Sequence, residues 1–151
     1  PGHSEHQTGL AVDLGIRKED IDFIRPDFPY TGMCKIFRQH SIRYGFIERY
    51  PKGKENITGI AHEPWHFRYV GYPHAAIMME KDFCLEEYIN FLKQFRYGDA
   101  PYFWRTENSD IAISYIAANG NDTQFQIAED ISYSISGNNV DGYIITEWRQ
   151  V

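Results

Sequence analysis

Two short stretches of this 151-residue chain carry side chains able to do hydrolytic chemistry: Ser4-Glu5-His6-Gln7-Thr8-Gly9-Leu10-Ala11-Val12-Asp13 and His62-Glu63-Pro64-Trp65-His66. Three protein ligands, an open position for water and a carboxylate beside it make up a catalytic zinc centre. His62, Glu63 and His66 match the pattern H-E-x-x-H, in which both histidines ligate from one helix face. Pro64 argues against that helix, because an interior proline costs about 3 kcal/mol. The aromatics also alternate through Trp65, Phe67 and Tyr69, as along a strand. The alternative set takes His66 from this segment and His6 and Asp13 from the other. Glu63 then lies beside the metal without binding it, placed to take a proton from water and pass it to a leaving amine. Zinc accepts a mixed His-Asp-His set readily and acidifies a bound water towards ~7.

Each of these residues has a plainer reading on its own. A single histidine is more often a surface or hydrogen-bonded core residue. Asp13 could hold a loop, Glu63 could pair with Arg68, and Trp65, Phe67 and Tyr69 fit a core better than a substrate cage. Spacing alone leaves the zinc set and these plainer readings both open.

A sheet is needed to bring the two stretches together. Residues 10–14 are apolar apart from Asp13, which predicts a strand holding a buried acid in need of a partner. Met33, Ile36, Phe37 and His40 recur at helical spacing and predict a helix over residues 31–41, broken by Gly45. Residues 46–50, 57–61 and 67–70 read as strands. Leu85, Tyr88, Ile89, Leu92 and Phe95 line one face of a helix over 85–95. Glu86 and Glu87 in its first turn and Lys93 and Arg96 in its last suit the helix dipole. Composition shifts at Tyr97-Gly98-Asp99-Ala100-Pro101, dividing the chain into residues 1–96 and a β-rich subdomain, 97–151. There, apolar alternation at 111–117, 125–128, 131–136 and 143–148 is punctuated by turns at 119–122 and 137–142.

The net charge of −6 argues against nucleic acid as a partner. Cys34 and Cys84 sit among apolar residues and are expected to be free and packed rather than a disulfide framework. No run approaches the ~20 apolar residues of a membrane span, and no signal peptide is visible. The chain opens on Pro1-Gly2-His3, directly against the first motif, which reads as a sequence with an upstream portion elsewhere. The acidic chain with its tail leans towards an extracytoplasmic or cell-surface setting, where an anchor outside this chain could hold it; a cytoplasmic setting is the alternative.

The segments Ser4 to Asp13 and Glu63-Pro64-Trp65-His66-Phe67-Arg68-Tyr69-Val70-Gly71 together resemble the zinc D-alanyl-D-alanine carboxypeptidases of the VanY type. The bifunctional VanXY enzymes of vancomycin resistance and the VanX dipeptidases belong to the same group. Tyr44-Gly45-Phe46 and Arg49-Tyr50-Pro51 fit the same pattern, so the resemblance covers about residues 1–95. It implies that His6, Asp13 and His66 bind zinc, that Glu63 is the catalytic base and that Ser4 lines the substrate pocket. It implies the α+β fold shared with the hedgehog signalling domain, a central antiparallel sheet with flanking helices. A small C-terminal antiparallel β-subdomain is added here. The implied reaction is hydrolysis of the D-Ala-D-Ala bond ending a peptidoglycan stem peptide, which destroys the target of vancomycin. D,D-dipeptidase or bifunctional activity is the alternative. A catalytically impaired, zinc-containing cell-wall-binding module is a further one, against which the presence of Glu63 speaks. Family members also carry, upstream, an arginine that stabilises the oxyanion. Nothing in residues 1–151 obviously replaces it, although Arg49 and Arg68 are available cations.

Overall fold

The computed structural model describes residues 4–107, 109–120 and 122–149. The chain divides into two compact units, residues 1–87 and 88–151. The opening Pro1-Gly2-His3 and, in the expected 119–122 turn, Asn121 lie outside the described residues.

In the first unit a 3-10 turn at Glu5–Thr8 ends on Gly9 in the left-handed region and feeds strand β1, Ala11–Asp13. Helix α1 covers Gly32–Ser41. A further 3-10 turn then ends at Gly45, and strand β2 covers Phe46–Glu48. Strand β3, His66–Tyr69, lies between β1 and β2 and is antiparallel to both. Side chains alternate across a strand, so β3 sends Phe67 to one face and His66 and Arg68 to the other. Phe67 joins Phe28 and Cys34 in a buried cluster, with Leu14, Phe46 and Trp65 packed against it.

Two helices complete this unit. α2, Glu55–Thr58, stands where a strand over 57–61 was expected. Glu55 in its first turn and left-handed Gly59 at its end outweigh the β-branched Ile57 and Thr58. α3, His74–Glu80, follows Pro73 and buries His74, Ala75, Ile77 and Met78. Helix α4, Leu85–Leu92, carries Glu86 and Glu87 in its first turn, as expected, and the two units divide within it.

The second unit is an antiparallel sheet of β4 (Tyr102–Thr106), β5 (Ser109–Ala117), β6 (Ser132–Gly137) and β7 (Gly142–Arg149), in the order β4-β5-β7-β6. Ile111, Ile113 and Tyr115 share one face of β5 and are buried. Phe91 and Phe95 meet Tyr102 at ring separations of 5.0 and 5.3 Å. Residues 125–128 form no strand. The β6–β7 turn is built on Asn138, whose Oδ1 accepts from the N–H groups of Val140, Asp141 and Gly142. Cys34 and Cys84 are both free and buried.

Candidate metal centre

Strand register delivers two of the expected ligands. Asp13 of β1 lies directly opposite His66 of β3, and opposed residues in an antiparallel pair present their side chains on the same face. Asp13 Oδ1 lies 2.8 Å from His66 Nδ1. The third comes from the turn before β1, where Ser4 is the N-cap and its Oγ accepts the His6 N–H at 3.4 Å. His6 Nε2 reaches to 3.4 Å from Asp13 Oδ2, and the His6 ring meets His66 edge-on at 4.7 Å. One donor atom from each of His6, Asp13 and His66 lies within 4.8 Å of the others. His66 is buried, whereas His6 and Asp13 are exposed. Asp13 is therefore not the buried acid expected in a strand: it closes β1 at the open side of the cluster and finds its partners there.

The backbone of residues 63–66 is held at most of its polar groups. Glu63 N–H donates to Tyr50 O, His66 N–H to Glu63 O and Leu14 N–H to Trp65 O, at 3.1, 3.1 and 3.0 Å. Pro64 O accepts from Arg38 Nη2 at 2.6 Å. The same guanidinium donates to Phe28 O, Pro29 O and Glu48 Oε2 and lies 3.9 Å over the Tyr30 ring. His62 points to this cluster and not to the metal set: its Nε2 lies 2.8 Å from Tyr30 Oη and 3.2 Å from Glu48 Oε1. The H-E-x-x-H helix does not form, and His66 begins a strand instead.

Glu63 is half-buried, and among the described residues its carboxylate makes no hydrogen bond and does not pair with Arg68. Burial pushes its pKa up; His66 and His6 oppose the shift, while Asp13 and Glu5 reinforce it. The Glu63 carbonyl accepts the His66 N–H, which seats Glu63 next to the residue that begins β3. Ser4 is exposed at the turn that carries His6.

Glu5 has a place that its type and position did not suggest. Its Oε1 lies 2.6 Å from His66 Nε2, on the side of the ring away from Asp13. Its Oε2 accepts from Arg68 at 2.7 Å and from Arg49 at 3.3 Å. Arg49 is also gripped in bidentate fashion by Glu86, at 3.1 and 2.6 Å. Burial works to raise the Glu5 carboxyl, but the His66 hydrogen bond and the two guanidinium charges prevail and hold it at about 2. Arg49 and Arg68 are thus engaged behind His66 and are not available cations at the metal face.

Residues 1–72 match the VanY D-alanyl-D-alanine carboxypeptidase family. The bifunctional D-Ala-D-Ala dipeptidase and carboxypeptidase VanXYC of Enterococcus gallinarum is 52% identical over 95 residues, 62% of this chain and 50% of that protein. A D-alanyl-D-alanine carboxypeptidase of Enterococcus faecium is 39% identical over 145 residues, 96% of this chain and 44% of that protein. The crystal structure of the vancomycin-resistance D,D-dipeptidase VanXYg, in complex with a D-Ala-D-Ala phosphinate analogue, aligns with a TM-score of 0.94 at 55% identity. That alignment covers 99% of this chain and 59% of VanXYg. The chain spans about half the length of the curated relatives it matches. The C-terminal sheet, which the sequence resemblance left aside, lies within the last two alignments. Residues 1–72 thus match the VanY D-alanyl-D-alanine carboxypeptidase family, and nearly the whole chain is similar in sequence and fold to VanXYg.

Proposed function

We propose that this chain carries the catalytic centre of a zinc-dependent D,D-carboxypeptidase that hydrolyses the terminal D-Ala-D-Ala bond of peptidoglycan stem peptides, as in vancomycin resistance. The convergence of His6, Asp13 and His66, next to a Glu63 carboxylate that no donor among the described residues engages, carries the reading. The donor set suits zinc. Two donors about 2.1 Å from one tetrahedral ion lie about 3.4 Å apart, and His6 Nε2 and Asp13 Oδ2 are separated by 3.4 Å. A zinc ion held there supplies Lewis acidity to the scissile carbonyl and to water.

The chain's own residues do the rest. The Glu63 carboxylate takes a proton from the attacking water and returns it to the amine of the departing D-Ala. Its backbone anchors, Tyr50 O on one side and Arg38 on the other, keep that carboxylate at the cluster's edge. Ser4, at the rim beside His6, lines the pocket for the peptide's end. Bifunctional activity, with free D-Ala-D-Ala also cleaved, is the second reading. The alignment of 99% of this chain with VanXYg, a D,D-dipeptidase bound to a D-Ala-D-Ala analogue, favours it.

Release of D-Ala from a stem pentapeptide by the zinc-loaded chain is the expected result. Turnover of the free dipeptide alone would sink the carboxypeptidase reading. Glu63→Gln should lower turnover by roughly 10²–10⁴-fold while zinc stays at one per chain, and unchanged activity would refute the role given to Glu63.

A further inference from the structure

Glu5 stands one position from His6 and has no part in the chemistry above, yet it is the hub of a buried polar cluster. Its side chain is 15% exposed, those of Arg49 and Arg68 are 11% and 7%, and that of His66 is 5%. Two carboxylates, Glu5 and Glu86, face two guanidinium groups, so the cluster balances its charge without help from His66. An ion pair alone therefore does not account for the 2.6 Å contact between Glu5 Oε1 and His66 Nε2. What the contact does is settle the imidazole. A carboxylate oxygen can only accept, so Glu5 at Nε2 and Asp13 Oδ1, 2.8 Å from Nδ1, each call for a ring proton. With Asp13 given over to a metal only the Glu5 demand remains, which keeps the proton on Nε2 and frees the Nδ1 lone pair. The Tyr50 ring stacks on His66 at 5.1 Å and 28°, fixing its plane. Glu5 is itself immobilised by Arg68 and Arg49.

Resting on the zinc reading above, we propose that Glu5 is a positioning residue: anchored by Arg68 and Arg49, it holds the His66 proton on Nε2, aims Nδ1 at the metal, and so sets the affinity of the centre for zinc. Carboxylates behind metal-binding histidines do this elsewhere, and losing one weakens metal binding by 10- to 100-fold. The 3-10 turn then supplies both kinds of support from neighbouring positions, His6 at the metal face and Glu5 behind it.

The test is zinc affinity, measured by competition with a chromophoric chelator at a temperature where each zinc-free protein is folded by circular dichroism. Glu5→Ala should raise the zinc Kd 10- to 100-fold. Glu5→Gln keeps an acceptor but no charge and should raise it several-fold. A Kd within twofold of the parent in both overturns the proposal, leaving Glu5 as a partner for the arginines only. Should Glu5→Ala not fold, Glu5→Gln decides. Ring ¹⁵N NMR of the unsubstituted zinc-loaded chain gives a reading free of any variant: the His66 proton is expected on Nε2, and a proton on Nδ1 overturns the assignment. Failure of the parent itself to bind zinc would refute the zinc reading rather than this one.

Discussion

Arg38 holds the Glu63 loop from behind, and its loss tests how much that hold contributes. Its guanidinium meets four carbonyls, of Phe28, Pro29, Cys34 and Pro64, and the Glu48 carboxylate, with 12% of the side chain exposed. Arg38→Met strands Glu48 and those carbonyls, so urea unfolding of the zinc-free chain should show a loss of about 3–5 kcal/mol. Lysine should not rescue it, because a single ammonium cannot span the fork. His62→Ala removes only the bonds to Tyr30 and Glu48 and should cost about 1 kcal/mol. Metal analysis should still find one zinc per chain; a loss of zinc would restore the H-E-x-x-H pairing. The grouping of His6, Asp13 and His66 was one of two sets that the residue types allowed, and it took the resemblance to single it out from the plainer reading of each residue. Glu5 was not: an acid next to a histidine in a short turn looks like a helix-start charge. Its partners Arg49, His66 and Arg68 come from distant parts of the sequence.

Among the elements, β1 was legible from its apolar run, β3 from alternating aromatics, and α1 from its apolar spacing. α3 was not, because its residues are apolar on several sides and show no clean period. β4 was missed because Tyr102, Phe103 and Trp104 are apolar in succession and hide the strand's two-residue rhythm. Gly45 is where an element boundary is least forgiving. It adopts φ 81°, and a Cβ there would lie 2.7 Å from Gly71 Cα and 2.9 Å from the Tyr69 ring. Its carbonyl also accepts from Val70 and Gly71, tying the start of β2 to the end of β3. Gly45→Ala should therefore destabilise the chain by about 2 kcal/mol or more, seen as a lower urea midpoint with an unchanged m-value.

For the molecule as a whole, stability should depend on pH through His74, which burial lowers to about 4. The unfolded histidine titrates near 6.5, so between those values the unfolded chain binds the extra proton. Stability is then full above pH ~6.5 and falls as pH drops towards ~4. Comparing Tm against pH for the zinc-free parent and His74→Phe should show a shallower slope in the variant across that window. Zinc should act in the other direction: at 100 times its Kd it adds about 2.7 kcal/mol, so a chelator should lower Tm. The turn-rich composition was read as a boundary at 96/97, whereas the compact units part at 87/88, inside a helix whose periodicity runs on without a break. The pairing of Asp13 with His66 adds something that no stability measurement provides. A slip of one residue between β1 and β3 would turn every side chain of the sliding strand to the other face. Backbone bonds could re-form, and a circular dichroism spectrum would hardly change, but the two donors would part. Zinc uptake is thus a vernier for this sheet: followed during refolding, it reports when the strands have aligned to the residue rather than merely when they have paired.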